Sequence, residues 1–213
     1  MPRALIFANG EFSRPELARS IPQPDDVIIA ADGGARHALA LGRLPSLIIG
    51  DFDSLTEPEM NHFASLDVQF LRFPQAKDET DLELALYHSI RAGHDPILIL
   101  GALGGRLDQM LGNIALLSDP QLIHADIRLE DGVTEVFFVT DKTVIQGSPG
   151  DTVSLIPWGG PVEGVITAGL LYPLNNETLF PSRTRGISNE MLAQNASVRI
   201  SAGSLLCTHI RKI

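Results

Sequence analysis

The chain has 213 residues, room for two domains of common size, and 44% of them are hydrophobic, enough to bury a sizeable core and to argue against disorder. Its formal net charge of -10, from Lys+Arg 16 against Asp+Glu 26, repels phosphate backbones and makes nucleic acid an unexpected partner. Cys207 is the only cysteine, which excludes an intramolecular disulfide. No apolar run approaches the ~20 residues of a membrane span, and the start runs into a strand candidate without a secretory pattern, so a cytoplasmic protein with no membrane partner is expected.

Ala4–Ala8 is a short apolar run ended by the turn signal Asn9-Gly10, and Glu16–Ser20 reads as one or two helical turns. Val27–Ala31 is the second run, ended by Asp32-Gly33-Gly34, and Ala35–Leu41 reads as a helix closed by Gly42. Leu47–Gly50 is the third run, and Asp51-Phe52-Asp53-Ser54 follows as a turn that presents two acids at a strand's carboxyl end. Glu57–Leu66 is a predicted helix and Val68–Phe73 the fourth strand. Thr80-Asp81-Leu82-Glu83 fits a capping box, after which Leu82, Leu84, Ala85, Leu86 and Ile90 keep helical spacing up to Gly93. Pro96–Leu100 is the fifth strand, ended by Gly101-Ala102-Leu103-Gly104-Gly105, and Leu107–Leu117 the next helix.

Strands alternating with helices predict a three-layer α/β/α domain with a mainly parallel sheet. Ligands bind outside the carboxyl ends of such strands, which nominates Asn9, Asp32, Asp51, Asp53 and the Gly101–Gly105 loop as one rim. After about Ile123 helical periodicity fades. Ile127–Leu129, Glu135–Thr140, Thr143–Gln146, Thr152–Pro157, Val198–Ser201 and Leu205–Ile210 are short strand candidates among Gly/Pro turns, the pattern of a small β-sandwich or barrel. The boundary falls within Ile123–Thr140 and is drawn at 1–128 and 129–213.

Two carboxylates spaced Asp-x-Asp are costly side by side unless a cation or a proton lies between them. Mg²⁺ takes oxygen ligands and prefers one or two carboxylates plus substrate phosphates, so Asp51 and Asp53 read as a Mg²⁺–nucleotide site; a solvated turn is the other reading. Asp81 and Asp108 each stand in the first turn of a helix, where the dipole alone favours an acid, yet with Asp32 they fall on the same rim. Lys77 is either a surface partner of Asp78-Glu79-Thr80-Asp81 or a contact to a transferred phosphate, and Arg106 is the other nearby cation. Gly101, Gly104 and Gly105 let backbone N–H groups approach phosphate at a helix N-terminus. No lysine follows a glycine, which excludes a P-loop, and the histidines show no zinc-ligand spacing. By pattern alone Arg183–Glu190 is an exposed loop.

Ala31-Asp32-Gly33-Gly34-Ala35, Gly50-Asp51-Phe52-Asp53-Ser54, Lys77-Asp78-Glu79-Thr80-Asp81, Gly101-Ala102-Leu103-Gly104-Gly105-Arg106-Leu107-Asp108, Tyr172-Pro173-Leu174 and Gly186-Ile187-Ser188-Asn189-Glu190 occur in this order. Together they resemble the thiamin pyrophosphokinase family. The resemblance implies an α/β catalytic domain followed by a β-sandwich, working as a homodimer. It implies transfer of the terminal diphosphate of ATP to the hydroxyethyl oxygen of thiamin, giving thiamin diphosphate and AMP.

Within that reading Asp51, Asp53, Asp81 and Asp108 hold one or two Mg²⁺ ions on the triphosphate, and Lys77 and Arg106 neutralise the moving diphosphate. Asn9, Asp32, Gly33, Gly34, Gly101, Gly104 and Gly105 line the ATP side. Either Asp81 or Asp108 accepts the hydroxyl proton. The resemblance also implies that Ile187, Ser188 and Asn189 form a thiamin pocket at the dimer interface, with Asp81 among the acids facing it. Two rival readings are a metal-dependent phosphoesterase, which Asp-x-Asp with outlying acids also suits, and a non-catalytic nucleotide sensor.

Overall fold

Four consecutive apolar residues, Ala4–Phe7, form β1 and all four are buried, which a strand permits only when both faces of its sheet are covered. The computed structural model describes residues 1–213, and these divide into two compact units, Met1–Gly132 and Val133–Ile213. In the first unit β1 is followed by β2 (Val27–Ala31), α1 (Ala35–Ala40), β3 (Leu47–Gly50), α2 (Glu57–Ser65) and β4 (Gln69–Arg72). After these come α3 (Asp81–Arg91), β5 (Ile97–Leu100), α4 (Leu107–Leu116) and β6 (Ile127–Glu130). The strands lie in the order β6-β5-β1-β2-β3-β4, and each pairing is parallel.

Alternation along the strands sorts the core into two faces. On one face Ala30 and Ile48 pack with Ala35 of α1 and Phe63 of α2, and Leu5, Phe7, Ile28 and Leu100 pack with Ala38 of α1. Ile6, Ile29, Ile49 and Ile99, also buried, point the other way, toward the side where α3 packs on β2 and β3. Chain order reverses between β1 and β5, so the loops leaving these adjacent strands diverge and open a crevice at their carboxyl ends. Thr56 forms a complete capping box with Glu59 at the start of α2. At Thr80 the side chain accepts the Glu83 N–H at 3.2 Å, which caps α3 from one side.

The second unit comprises β7 (Thr134–Val139), β8 (Lys142–Gln146), β9 (Thr152–Pro157), β10 (Val162–Ala168), β11 (Asn175–Leu179), β12 (Asn189–Glu190), β13 (Asn195–Arg199) and β14 (Leu205–Ile210). They form antiparallel arrays in the orders β12-β9-β14-β7 and β11-β10-β13-β8. Residues of both arrays, among them Phe137, Val153 and Leu155 from one and Ile145, Val165 and Val198 from the other, share one buried cluster, as a β-sandwich requires.

Most elements fall where the sequence predicts them, with three differences. Ile127–Leu129, grouped above with the short strands of the second half, pairs in parallel with β5. Val198–Ser201 is displaced, the strand being Asn195–Arg199. β10, β11 and β12 were not predicted. β10 hides because its register shifts between Val162 and Val165, around Gly164, which takes φ 66° with Ser201 packed where a Cβ would stand; a bulge of this kind erases simple alternation.

Candidate active site

The turn after β3 presents its acids because of the residue between them. Phe52 adopts φ 66°, a left-handed conformation costing a non-glycine residue roughly 1–2 kcal/mol. Its ring packs into the core with Ala30, Ile48, Leu55 and Phe63, and burial of such a ring contributes roughly 1.5–3 kcal/mol, which offsets the strain. Phe70 meets the ring edge-on at 5.3 Å, and the Arg72 guanidinium lies 4.6 Å from its centre while donating to the Asp51 carbonyl at 2.9 Å.

With Phe52 anchored inward, Asp51 and Asp53 are left facing out. The Asp53 N–H donates to Asp51 Oδ1 at 3.1 Å. Ser54 Oγ and Gln75 Nε2 each donate to the Asp53 carboxylate at 3.1 Å, and Asn9 Nδ2 donates to Ser54 Oγ at 3.1 Å. Behind the turn, Arg36 donates to both Glu59 oxygens at 2.6 and 2.8 Å and to the Ser54 carbonyl at 2.6 Å. That fork, with the Thr56 contacts, holds Glu59 far below the usual carboxylate range.

Asp32 comes to the same place from the end of β2. It is buried and takes φ 46°. One carboxylate oxygen from each of Asp32, Asp51 and Asp53 lies within 4.8 Å of the others. At such a separation each like-charged pair repels by between about 1 and about 3 kcal/mol, depending on exposure. Asp32 Oδ1 is buried and has no hydrogen-bond partner, a costly state for a carboxylate oxygen. An all-oxygen cluster with an orphaned, buried anionic atom fits a hard divalent cation such as Mg²⁺.

Asp81, the first residue of α3, lies against the same site. Lys77 Nζ is 3.0 Å from its Oδ1. Burial pushes the Asp81 pKa up, the Lys77 ammonium pulls it down, Asp32 and Asp51 push it up again, and the net is a rise.

These groups line a cavity of about 700 Å³ together with Asn9, Gly10, Glu11, Ser54, Glu79, Thr80, Gly104, Gly105, Arg106, Gln109 and Asn113. The loops after β1 and β5 meet there backbone to backbone: the Gly10 N–H donates to the Gly101 carbonyl at 2.9 Å, and a Cβ on Gly104 would stand 2.2 Å from the Glu11 carbonyl oxygen. Gly33 and Gly34 are packed instead against the Asn9 amide and the Phe7 carbonyl, so they bring Asp32 and Asn9 close and do not line the cavity. Gly101 likewise lies behind it, against the Ala8 carbonyl.

Arg106 reaches the cavity's edge, with its side chain 73% exposed and ion-paired to Asp108. The pairing holds Asp108 below the usual carboxylate range. Asp108 faces a different groove, shared with Glu83, Asn113 and Asp119. Of the predicted acids, Asp32, Asp51, Asp53 and Asp81 are therefore brought together and Asp108 is not. Gln75, Gln109 and Asn113 carried no sequence signal, being single amides outside any motif.

In the second unit, Tyr172, Leu174, Thr184, Arg185, Gly186, Ile187 and Asn189 line a cavity of about 360 Å³. Ile187 is exposed. Ser188 takes φ 57° and its N–H donates to Ser154 Oγ at 3.0 Å. Asn189 is buried and spends its amide on Tyr172, accepting the Tyr172 N–H at 2.9 Å and donating to the Tyr172 carbonyl at 2.7 Å. Arg185 is fixed by Glu177 at 2.8 and 3.0 Å. No helix of the structure is long and apolar enough to cross a membrane.

A family model described as Thiamin pyrophosphokinase, catalytic domain, matches residues 18–129, and one described as Thiamin pyrophosphokinase, vitamin B1 binding domain, matches residues 141–207. The chain is 32% identical over 180 residues to thiamine pyrophosphokinase of Bacillus subtilis (strain 168), covering 84% of each. It is 30% identical over 172 residues to thiamine pyrophosphokinase 1 of Oryza sativa subsp. japonica, covering 75% of this chain and 63% of that one. The crystal structure of thiamine pyrophosphokinase from Bacillus subtilis matches with a TM-score of 0.88 at 28% identity, over 99% of this chain and 100% of that one.

Proposed function

The chain belongs to the thiamin pyrophosphokinase family, and from that membership we propose how its own residues perform the reaction. The protein transfers the diphosphate of ATP to the hydroxyl of thiamin, giving thiamin diphosphate and AMP. The observation that carries the residue assignment is the buried, unpartnered Oδ1 of Asp32 beside Asp51 and Asp53.

Asp32, Asp51 and Asp53 hold Mg²⁺; Asp32, read from sequence as an ATP-side residue, joins this set. When bound, the ion neutralises charge on the triphosphate. The remaining work falls to positioning. Lys77, at the cavity wall beside Asp81, faces the moving diphosphate, and Arg106 does so from the edge. Gly104 and Gly105 bring backbone to the phosphates just ahead of the N-terminus of α4, where the Gln109 N–H is already taken by Asp108 Oδ1 at 3.0 Å.

Attack falls on the β-phosphorus, because a diphosphate moves and AMP leaves. Asp81 lines the cavity and Asp108 does not, so Asp81 is the acceptor of the hydroxyl proton. The acidic wall also suits the cationic thiazolium of thiamin. The cavity of Tyr172, Ile187 and Asn189 is the thiamin subsite, with Ser188 at its margin. Homodimer assembly, which brings that cavity to the acid rim of a partner subunit, and a cytoplasmic location belong to the same proposal and are supported by family membership.

Product analysis after mixing protein, Mg²⁺, ATP and thiamin tests the reading. AMP and thiamin diphosphate should form one for one, and AMP should not form without thiamin. Phosphate release in the absence of thiamin would instead indicate a phosphoesterase, and ATP binding without any turnover a sensor.

A further inference from the structure

His209 is completely buried in β14 and touches neither cavity. Its ring lies between two carboxylates, with Nε2 2.9 Å from Asp151 Oδ2 and Nδ1 3.5 Å from Glu135 Oε2. Glu135 stands on β7 and Asp151 in the turn before β9, while the Arg211 guanidinium lies 4.0 Å from Glu135. Asp151 is further held by the N–H groups of Ser148 at 2.8 Å and Lys212 at 2.9 Å. Gly147 closes over the group: a Cβ there would stand 2.6 Å from Asp151 Oδ2, 2.7 Å from His209 Nε2 and 2.9 Å from Met191 Sδ. Buried ionic groups are weak contributors to stability compared with apolar side chains of the same volume.

The group's contacts lead to one wall of the second unit's cavity. The Asp151 carbonyl accepts the Met191 N–H at 2.9 Å, and the Gly150 N–H donates to the Met191 carbonyl at 2.8 Å. Met191 directly follows β12, which pairs Asn189 with Val153 and Glu190 with Thr152. His209 pairs with Val153 from the opposite side, so residues 151–153 are gripped between His209 and β12. Asn189 then fixes the Tyr172 backbone through both ends of its amide, and Tyr172 lines the cavity with Arg185 and Ile187.

We propose that His209, through Asp151 and β12, is a positioning residue that sets the Tyr172–Asn189 wall for thiamin. The inference rests on the reading of that cavity as the thiamin subsite. The experiment measures KM for thiamin, KM for ATP and kcat in His209→Gln and, in parallel, in Ile187→Ala, which alters the cavity wall directly.

His209→Gln should raise the thiamin KM by roughly tenfold, the loss of a charge-assisted hydrogen bond felt at one substrate, with the ATP KM within about twofold of wild type. Asp151→Asn, which removes the charge and keeps the shape, should do the same, and it is read in place of His209→Gln if that variant does not fold. An unchanged thiamin KM in Ile187→Ala removes the thiamin subsite and with it the underlying reading. A raised thiamin KM in Ile187→Ala with none in His209→Gln overturns the positioning role alone. Equal losses on both substrates, or failure of both His209→Gln and Asp151→Asn to fold, assign the cluster to stability and overturn it too.

Discussion

A Cβ on Gly50 would stand 3.0 Å from the Cβ of Asp32: the glycine that closes β3 leaves the space in which Asp32 lies. The same point is 3.1 Å from Asp81 Cγ, so one missing methyl group admits two of the acids. Gly50→Ala should push both carboxylates aside, with kcat falling by at least about tenfold, since an ångström of misplacement is costly in such sites. Far-UV circular dichroism should stay native, because β3 ends there. Wild-type turnover in Gly50→Ala would show that the acids can shift without consequence.

Asp32 gives a prediction about stability that does not depend on turnover. Its buried, unpartnered oxygen beside Asp51 and Asp53 should destabilise the metal-free protein through like-charge repulsion. Asp32→Asn should therefore melt about 2–6 °C higher than wild type in chelator. Mg²⁺ should stabilise wild type by mass action and Asp32→Asn much less. Differential scanning fluorimetry with and without Mg²⁺ measures both. Equal Mg²⁺ responses would detach Asp32 from the ion.

The rim of acids was legible because each element before it is locally self-consistent: Leu47–Gly50 is apolar up to its glycine, and Thr80 heads a periodic helix. Which acids converge was not legible. Asp108 opens a helix as Asp81 does, but it turns to its neighbour Arg106 while Asp81 turns inward to Lys77, a choice of rotamer and packing that spacing cannot express. The second unit was read less fully, since β10 is broken by Gly164 and β12 is only two residues long. The part played by Asn189 depends on Tyr172, distant in sequence, and no local pattern announces it.

The contrast between Asp81 and Asp108 can be measured directly. Asp81 lines the cavity, half-enclosed beside Lys77, whereas the Asp108 side chain is 65% exposed and outside it. Asp81→Asn should lower kcat by roughly 100-fold or more, as loss of a proton acceptor does. Asp108→Asn should cost no more than a few-fold, through freeing Arg106. Steady-state kinetics on the two variants side by side decides it. Equal, large losses would restore Asp108 to the reacting set.

The Glu135–His209–Asp151 group should impose a pH window on stability. Burial lowers the His209 pKa, but the bonds to Glu135 and Asp151 outweigh it, and the net lies above the ordinary histidine value of 6.5. The folded state thus holds the proton more tightly than the unfolded one. Its contribution is fully present below 6.5 and is lost as pH rises through the higher, folded value. Asp151 behaves oppositely. Burial raises its pKa, but the Lys212 and Ser148 N–H groups and His209 outweigh it, so the net is below 3.8, and its contribution is present above 3.8 and lost as pH falls through the folded value. His88, whose pKa burial lowers with help from His94 and Arg91, gains stability only as pH rises toward 6.5 and is flat above it, where the His209 contribution is lost. Comparison with His209→Gln separates them, because His88 remains in both proteins. Urea midpoints measured from about pH 6 to about pH 9 should fall further in wild type than in His209→Gln. Parallel curves would mean that His209 carries no extra proton in the folded state, and that its two carboxylate neighbours are held by other donors.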